Sequence, residues 1–276
     1  MIKLVVDSTF GLSKDFIEKH DIQVVSLSLL LDDQTFVEKT ADTWHEFFEK
    51  LASSKNFPKT SQPSPEAFID AINKVYEKTP DAEVIIMTIS ETLSGTINSA
   101  KLAAKNFEGK RIAAIDARQA TVGSRVVLES VLEEIAAGKT FEQILKHIED
   151  VQEKVDLYFV PDTMEYLKRG GRIGKLSATL ASVLSIKPIF YFKNGEISVP
   201  KKVLGLSRSI NEMIQCLPKN LKKVYICYIY NDAHVEEIKA KLKSSLNIEN
   251  IEVMPVCPVF GAHVGIGAIG LASISY

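Results

Sequence analysis

The sequence predicts an α/β protein: an N-terminal domain with a parallel sheet flanked by helices, then a smaller C-terminal α/β domain, α+β in character, with a mixed sheet. Three observations carry the prediction. Short apolar runs alternate with amphipathic helical patterns through the first half, as in a parallel sheet covered on both faces. That alternation changes near Val155. Beyond it, Asn194–Gly195 stands between two β-rich segments, a hairpin signal that joins antiparallel strands. The predicted domains are 1–155 and 156–276.

Each element has its own local reason. Lys3–Asp7, Ile22–Leu31, Glu83–Ile89 and Arg111–Asp116 are short runs rich in Val and Ile, and read as buried strands. Thr43 and Glu46 have capping-box spacing ahead of "FFEKL", and Ser64–Pro65 supplies an N-cap followed by proline at the first helical position. The helix after it places Phe68, Ile69, Ile72, Val75 and Tyr76 on one face. Thr140 and Gln143 form a second capping box, opening "FEQILKHIEDVQEKV". Past residue 155 come a strand at Leu157–Val160, a short helix, the segment "KRGGRIGK" (Lys168–Lys175) and a helix at Leu176–Leu184. The hairpin follows, then a helix burying Ile210, Met213, Ile214 and Leu217. A strand "VYICYIY", a helix around Val235, Ile238 and Leu242, a strand "IEVMPV" and the glycine-rich tail "GAHVGIGAIGLASISY" complete the chain.

Composition narrows the function classes. With 33 basic and 35 acidic residues in 276, the net charge of −2 gives no overall pull towards nucleic acid or anionic lipid. Cys216, Cys227 and Cys257 are widely spaced with no C-x-x-C pair, which argues against zinc and against a disulfide framework, and matches a reducing cytoplasm. The N-terminus "MIKLVVDSTF" lacks the pattern of a signal peptide. No apolar run approaches the ~20 residues of a membrane helix, so no stable membrane insertion is expected. No metal and no cofactor are implied.

The candidate chemistry lies in four places. "SETLSGTINSA" (Ser90–Ala100) breaks from a strand at Ser94–Gly95 and runs into a helix, which aims a hydroxyl and free backbone N–H groups at one point. Ser94 as a nucleophile requires G-x-S-x-G, and Thr92 stands where the first glycine belongs. A helix cap and a ligand-binding hydroxyl are the other two readings of Ser94, and a Ser/His hydrolase or thioesterase using His263 is the rival activity. "KTSQPSPE" sets Thr60, Ser61 and the Gln62 amide in a proline-stiffened loop, where a polar connector is the plain alternative. His263 sits between Ala262 and Val264, where a satisfied core histidine is the plain alternative. The tail's G-x-G-x-x-G (Gly265, Gly267, Gly270) is not a dinucleotide motif, because too little chain remains for a helix and a further strand. "KRGGRIGK" lacks P-loop spacing, and its cations lean towards an anionic partner.

Taken in order, "VVDSTFGLS", "KTSQPSPEAF", "ISETLSGTINSA", "AAIDARQATVG", "YLKRGGRIG", "VLSIKPIF" and "GAHVGIGAIG" resemble the DegV family over essentially the whole chain. The resemblance implies a bacterial fatty-acid-binding protein of the kind that serves as the lipid-presenting subunit of fatty acid kinase, in phospholipid metabolism. It implies a long-chain ligand (palmitate-, stearate- or oleate-like) whose carboxylate is held by Thr60, Ser61, Ser94 and His263, with Gly95 and Gly265 in support. It also implies that the protein itself has no catalytic residue, and that Arg169 and Arg172 lie at the entrance or face the catalytic subunit of the kinase. Three positions depart from the family pattern. Leu204 stands where an arginine is expected, Tyr228 near a usual histidine, and Ala117 in place of a serine; the first bears on kinase docking.

Overall fold

The structure, a computed structural model, describes residues 1–172 and 186–276. The helix expected at 176–184 and the last three residues of the basic segment lie outside the described residues. The chain begins with β1 (Ile2–Asp7), α1 (Lys14–His20), β2 (Gln23–Val25), β3 (Ser28–Leu31) and β4 (Gln34–Val37). It continues with α2 (His45–Ser53), β5 (Lys59–Ser61), α3 (Pro65–Lys78), β6 (Glu83–Thr88), α4 (Thr96–Ala104), β7 (Ile112–Asp116), α5 (Val122–Ala136) and α6 (Phe141–Gln152). The remaining elements are β8 (Val155–Val160), α7 (Glu165–Gly170), β9 (Ile186–Lys193), β10 (Glu196–Leu204), α8 (Leu206–Cys216), β11 (Leu221–Tyr228), α9 (Val235–Leu246), β12 (Ile251–Pro255), α10 (Pro258–Val264) and β13 (Ile269–Ser275).

Among the described residues these strands form three sheets. The first is parallel, ordered β2-β1-β6-β7. The second is mixed, ordered β10-β9-β8-β13-β11-β12, with β11 and β12 its parallel pair. The third, β4-β3-β5, is small and antiparallel. The expected fold class, a parallel-sheet unit followed by a mixed-sheet one, is therefore what the chain adopts. In the first sheet β2 lies on one side of β1, and β6 and β7 lie on the other. The order thus reverses at β1, which opens a crevice beyond the carboxyl ends of β1 and β6, where open α/β sheets bind ligands.

Local signals hold where the sequence is locally explicit. Ser64 Oγ accepts from Ala67 N to start α3, which buries Phe68, Ala71, Ile72 and Val75. The Thr140–Gln143 capping box is formed at the head of α6. Asn194 and Gly195 both take positive φ (50° and 81°), the conformation of the hairpin turn that matches strand twist.

Two expectations fail. Ile22–Leu31 is not one strand but two, β2 and β3, in different sheets. The break falls at Leu27, whose N–H donates to Ser8 Oγ and whose carbonyl accepts from Glu38 N, so neither group is free for a ladder. Thr43 does not cap α2, because its hydroxyl donates back to Thr40 O inside a 3-10 turn, and Trp44 occupies the cap position without a side-chain bond. In the glycine-rich tail, where the sequence predicts no element, α10 runs from Pro258 to Val264, Gly265 (φ 90°) ends it, and β13 begins at Ile269.

Candidate functional site

The loop after β6 runs into the crevice at the carboxyl ends of β1 and β6. Asp7, the last residue of β1, accepts from Ile89 N at 2.7 Å and so holds the root of the loop. Leu93 N and Ser94 N both donate to Ser90 O, which curls the chain before α4. Ser94 Oγ comes to rest 2.9 Å from Thr96 Oγ1. Gly95 is the cap residue of α4, and a Cβ there would collide with Gln62 Oε1. The missing side chain lets the Gln62 amide cross the helix start and donate to Ser99 Oγ at 3.1 Å.

Facing this loop are β5 and α10. Thr60 sits mid-strand on β5, paired with Leu29, and its Oγ1 lies 2.8 Å from His263 Nε2 on α10. Burial, with the charge of Arg172 adding to it, pushes the His263 pKa down to about 4, so the imidazole is neutral at neutral pH. A neutral ring that donates from Nε2 leaves the Thr60 hydroxyl proton free for an external acceptor. Among the described residues nothing pairs with the buried Nδ1. It faces Gly170 at the end of α7, where a Cβ would stand 2.6 Å away. Gly265 makes room in the same way for the Tyr166 ring, which packs on Phe57.

Thr60, Ser61, Ser94, Gly95, His263 and Arg172 all line one cavity of about 530 Å³. The rest of its wall is largely apolar, contributed by Leu27, Leu93, Phe159, Phe192, Ile197 and Val264 among others. A small apolar gap of about 20 Å³ adjoins it across Phe159, Phe260 and Val264. Thr60, His263 and Arg172 also line a second, more polar cavity of about 830 Å³, and so form the wall between the two. Lys55, Lys59 and Arg169 line only the outer cavity. Arg169 is exposed there, paired with Glu165 and laid over the Phe57 ring, whereas Arg172 reaches the inner site. Leu204 is exposed at the end of β10. Among the described residues no cluster of His, Cys, Asp or Glu is placed to hold a metal, and no helix is long and apolar enough to cross a membrane.

The arrangement can accommodate a small anion joined to an apolar body. Hydroxyls and a neutral imidazole can satisfy a carboxylate at the mouth of an apolar cavity without a full countercharge in direct contact. It is poorly arranged for hydrolysis. The His263 ring nitrogen that has a partner bonds to Thr60, and the Ser94 hydroxyl is turned to Thr96, so the Ser94–His263 pair of the rival reading is not made. Sequence reasoning placed Gly170 in the basic segment as part of a glycine-ended helix, but not against His263, 93 positions away (263 − 170). Nor did it single out Glu38, which lies buried behind α10.

A family model described as "Uncharacterised protein, DegV family" matches residues 1–275. A DegV domain-containing protein of Clostridium acetobutylicum is 32% identical over 279 residues, which is 98% of this chain and 97% of its own. Among solved structures, a fatty-acid-binding DegV-family protein from Thermus thermophilus superposes with a TM-score of 0.88 at 30% identity, covering 100% of this chain and 99% of its own. A stearic acid-binding protein from Eubacterium ventriosum superposes with a TM-score of 0.89 at 27% identity, covering 100% and 98%. With a family match along nearly its whole length and a relative at 32% identity, the chain belongs to the DegV family.

Proposed function

We propose that the protein binds a long-chain fatty acid, palmitate-, stearate- or oleate-like, with its carboxylate on Thr60, Ser61 and Ser94 and with His263 in the same network. The observation that carries this reading is the Thr60–His263 hydrogen bond on the wall of an otherwise largely apolar cavity of about 530 Å³. That volume lies within the roughly 300–1,000 Å³ of small-molecule sites. Gly95 and Gly265 support the site by leaving room for Gln62 and Tyr166. The acyl chain lies between and within two units, residues 1–155 and 156–276. Binding of fatty acids by the Thermus and Eubacterium proteins, similar along their full length, favours the same ligand here.

In this reading the protein is a cytoplasmic, non-catalytic carrier. It presents the carboxylate to the catalytic subunit of a fatty acid kinase, feeding phospholipid metabolism. Such a head group is held by neutral donors, and Arg172, which lines both cavities, supplies positive potential beside them. Arg169 and its neighbours face the partner, and Leu204 is the position at which this surface differs from the family pattern. The test is solvent extraction and mass spectrometry of protein purified from a bacterial host. About one fatty acid per chain is expected. Extracts free of fatty acid, from protein that also fails to take up palmitate or oleate, would end the proposal.

A further inference from the structure

The helix that carries His263 has an unusual beginning. α10 starts Cys257-Pro258-Val259; Cys257 at the cap position makes no side-chain capping bond, and Pro258 has no N–H to offer. The first donor of the helix is therefore Val259 N, an orphan that something outside the helix must satisfy. Glu38, which follows β4, does so: its Oε2 accepts from Val259 N at 2.6 Å. The other oxygen, Oε1, accepts from Ser8 Oγ at 2.8 Å, and Ser8 Oγ in turn accepts from Leu27 N. Glu38 is 2% exposed and Asp7 and Ser8 are equally enclosed, so this is a buried polar strut from β1 to α10. The strut is also continuous with the other side of the site, because Asp7 holds Ile89 N at the root of the Ser94 loop.

Apolar contact alone gives α10 a seat. Gly261 approaches Phe48 so closely that a Cβ would lie 2.6 Å from the ring. A flat aromatic contact does not specify how far a seven-residue helix slides or turns, whereas a carboxylate bonded at both oxygens does. One turn on from Val259, that register decides whether His263 Nε2 meets Thr60.

We propose that Glu38 is a positioning residue of the carboxylate site, acting through α10 to set His263 against Thr60. This rests on the fatty-acid reading above for its functional meaning, but its geometry can be tested without ligand.

The experiment compares ligand-free wild type, Glu38→Ala and Glu38→Gln by following the His263 ring through a pH titration by NMR, with palmitate titrations in parallel. Glutamine can still accept from Val259 N while its amide faces Ser8 Oγ, so it keeps the tether without the charge. Expected are a His263 midpoint in Glu38→Ala at least one pH unit above wild type, as the ring loosens and gains water, and a palmitate Kd at least tenfold weaker. Glu38→Gln stays close to wild type in both. Burial pushes the Glu38 pKa up to about 7, so the carboxyl is already uncharged where His263 titrates near 4, and a rise cannot come from a lost charge. A folded Glu38→Ala with an unchanged midpoint overturns the proposal and assigns α10 to its apolar seat alone. If Glu38→Ala does not fold, Glu38→Asp, one methylene too short to reach both Ser8 and Val259, carries the same expectation and the same refutation. Wild type that binds no palmitate while Glu38→Ala still shifts the midpoint would refute the fatty-acid reading and leave the positioning role standing.

Discussion

Replacing Gly170 by alanine separates the site's geometry from the protein's stability. The new methyl would stand 2.6 Å from His263 Nδ1 and 3.4 Å from Cγ, on the side of the ring opposite Thr60. Ordinary contact begins near 3.4 Å, so the ring must yield by about 0.8 Å (3.4 − 2.6). The ring is half-buried, and a shift of that size away from Gly170 disturbs the 2.8 Å bond to Thr60 Oγ1. That bond contributes about 0.5–1.5 kcal/mol directly, and a Thr60 hydroxyl that no longer points at the ligand forfeits part of a charge-assisted bond of about 1.5–3 kcal/mol. Fatty-acid affinity should therefore fall by about ten- to a hundredfold, at tenfold per 1.4 kcal/mol. Stability should not fall with it. Gly170 closes α7 without a positive φ, where alanine is the better residue by roughly 0.5–1 kcal/mol. Gly171 is the control: its φ is +69°, and a Cβ there meets nothing within 4 Å. Gly171→Ala should lower the melting temperature and leave affinity alone. The assay is a fluorescent fatty-acid displacement titration beside thermal unfolding of both variants. Wild-type affinity in Gly170→Ala would refute the argument that the Thr60–His263 contact orders the carboxylate site.

Three further outcomes follow from the same geometry. Ser94→Ala and Thr60→Ala should each weaken fatty-acid binding by about one to two orders of magnitude, for one lost bond to a charged group, and the double variant by less than the product, since both serve one head group; additive losses in isothermal titration would place the two hydroxyls in separate sites. Phe260 lines both the main cavity and the small inner gap; on the fatty-acid reading, Phe260→Ala should raise the stearate-to-palmitate affinity ratio by up to about tenfold, from two methylenes at about 0.8 kcal/mol each, and an unchanged ratio would count against that end of the cavity holding the chain terminus. Burial raises the Glu38 pKa to about 7 from 4.5, against the opposing bonds from Val259, Ser8 and Cys257, so its stabilising contribution is complete below pH 4.5 and is lost as pH rises through 7; the stability of wild type relative to Glu38→Gln, read from urea midpoints, should therefore decline from pH 5 to pH 8, and a pH-independent difference would refute the shift.

What was legible in the sequence was what short stretches decide for themselves. Proline after serine, the Thr140–Gln143 box and Asn194–Gly195 act within a few bonds, and each forms as read. Thr43 fails locally, its hydroxyl turned back to Thr40 O, whereas the strand misreading comes from a backbone group claimed from far away. Leu27 looks like the middle of a strand until Ser8 and Glu38 take its N–H and carbonyl, and that claim divides Ile22–Leu31 between two sheets. The candidate site follows the same logic. Thr60, Ser94 and His263 were each recognisable as polar groups out of place, but Thr60 and His263 are 203 positions apart and no spacing rule joins them. Their meeting depends on the long-range contacts that single residues leave unmarked: a glycine at 170 that makes room and a glutamate at 38 that holds a helix start. The hydroxyls come from β5 and the loop after β6, and the imidazole comes from α10 near the end of the chain, so the site exists only once both ends of the sequence have docked. A small loosening between β5 and α10 would therefore be felt at the carboxylate before it is felt in the sheets.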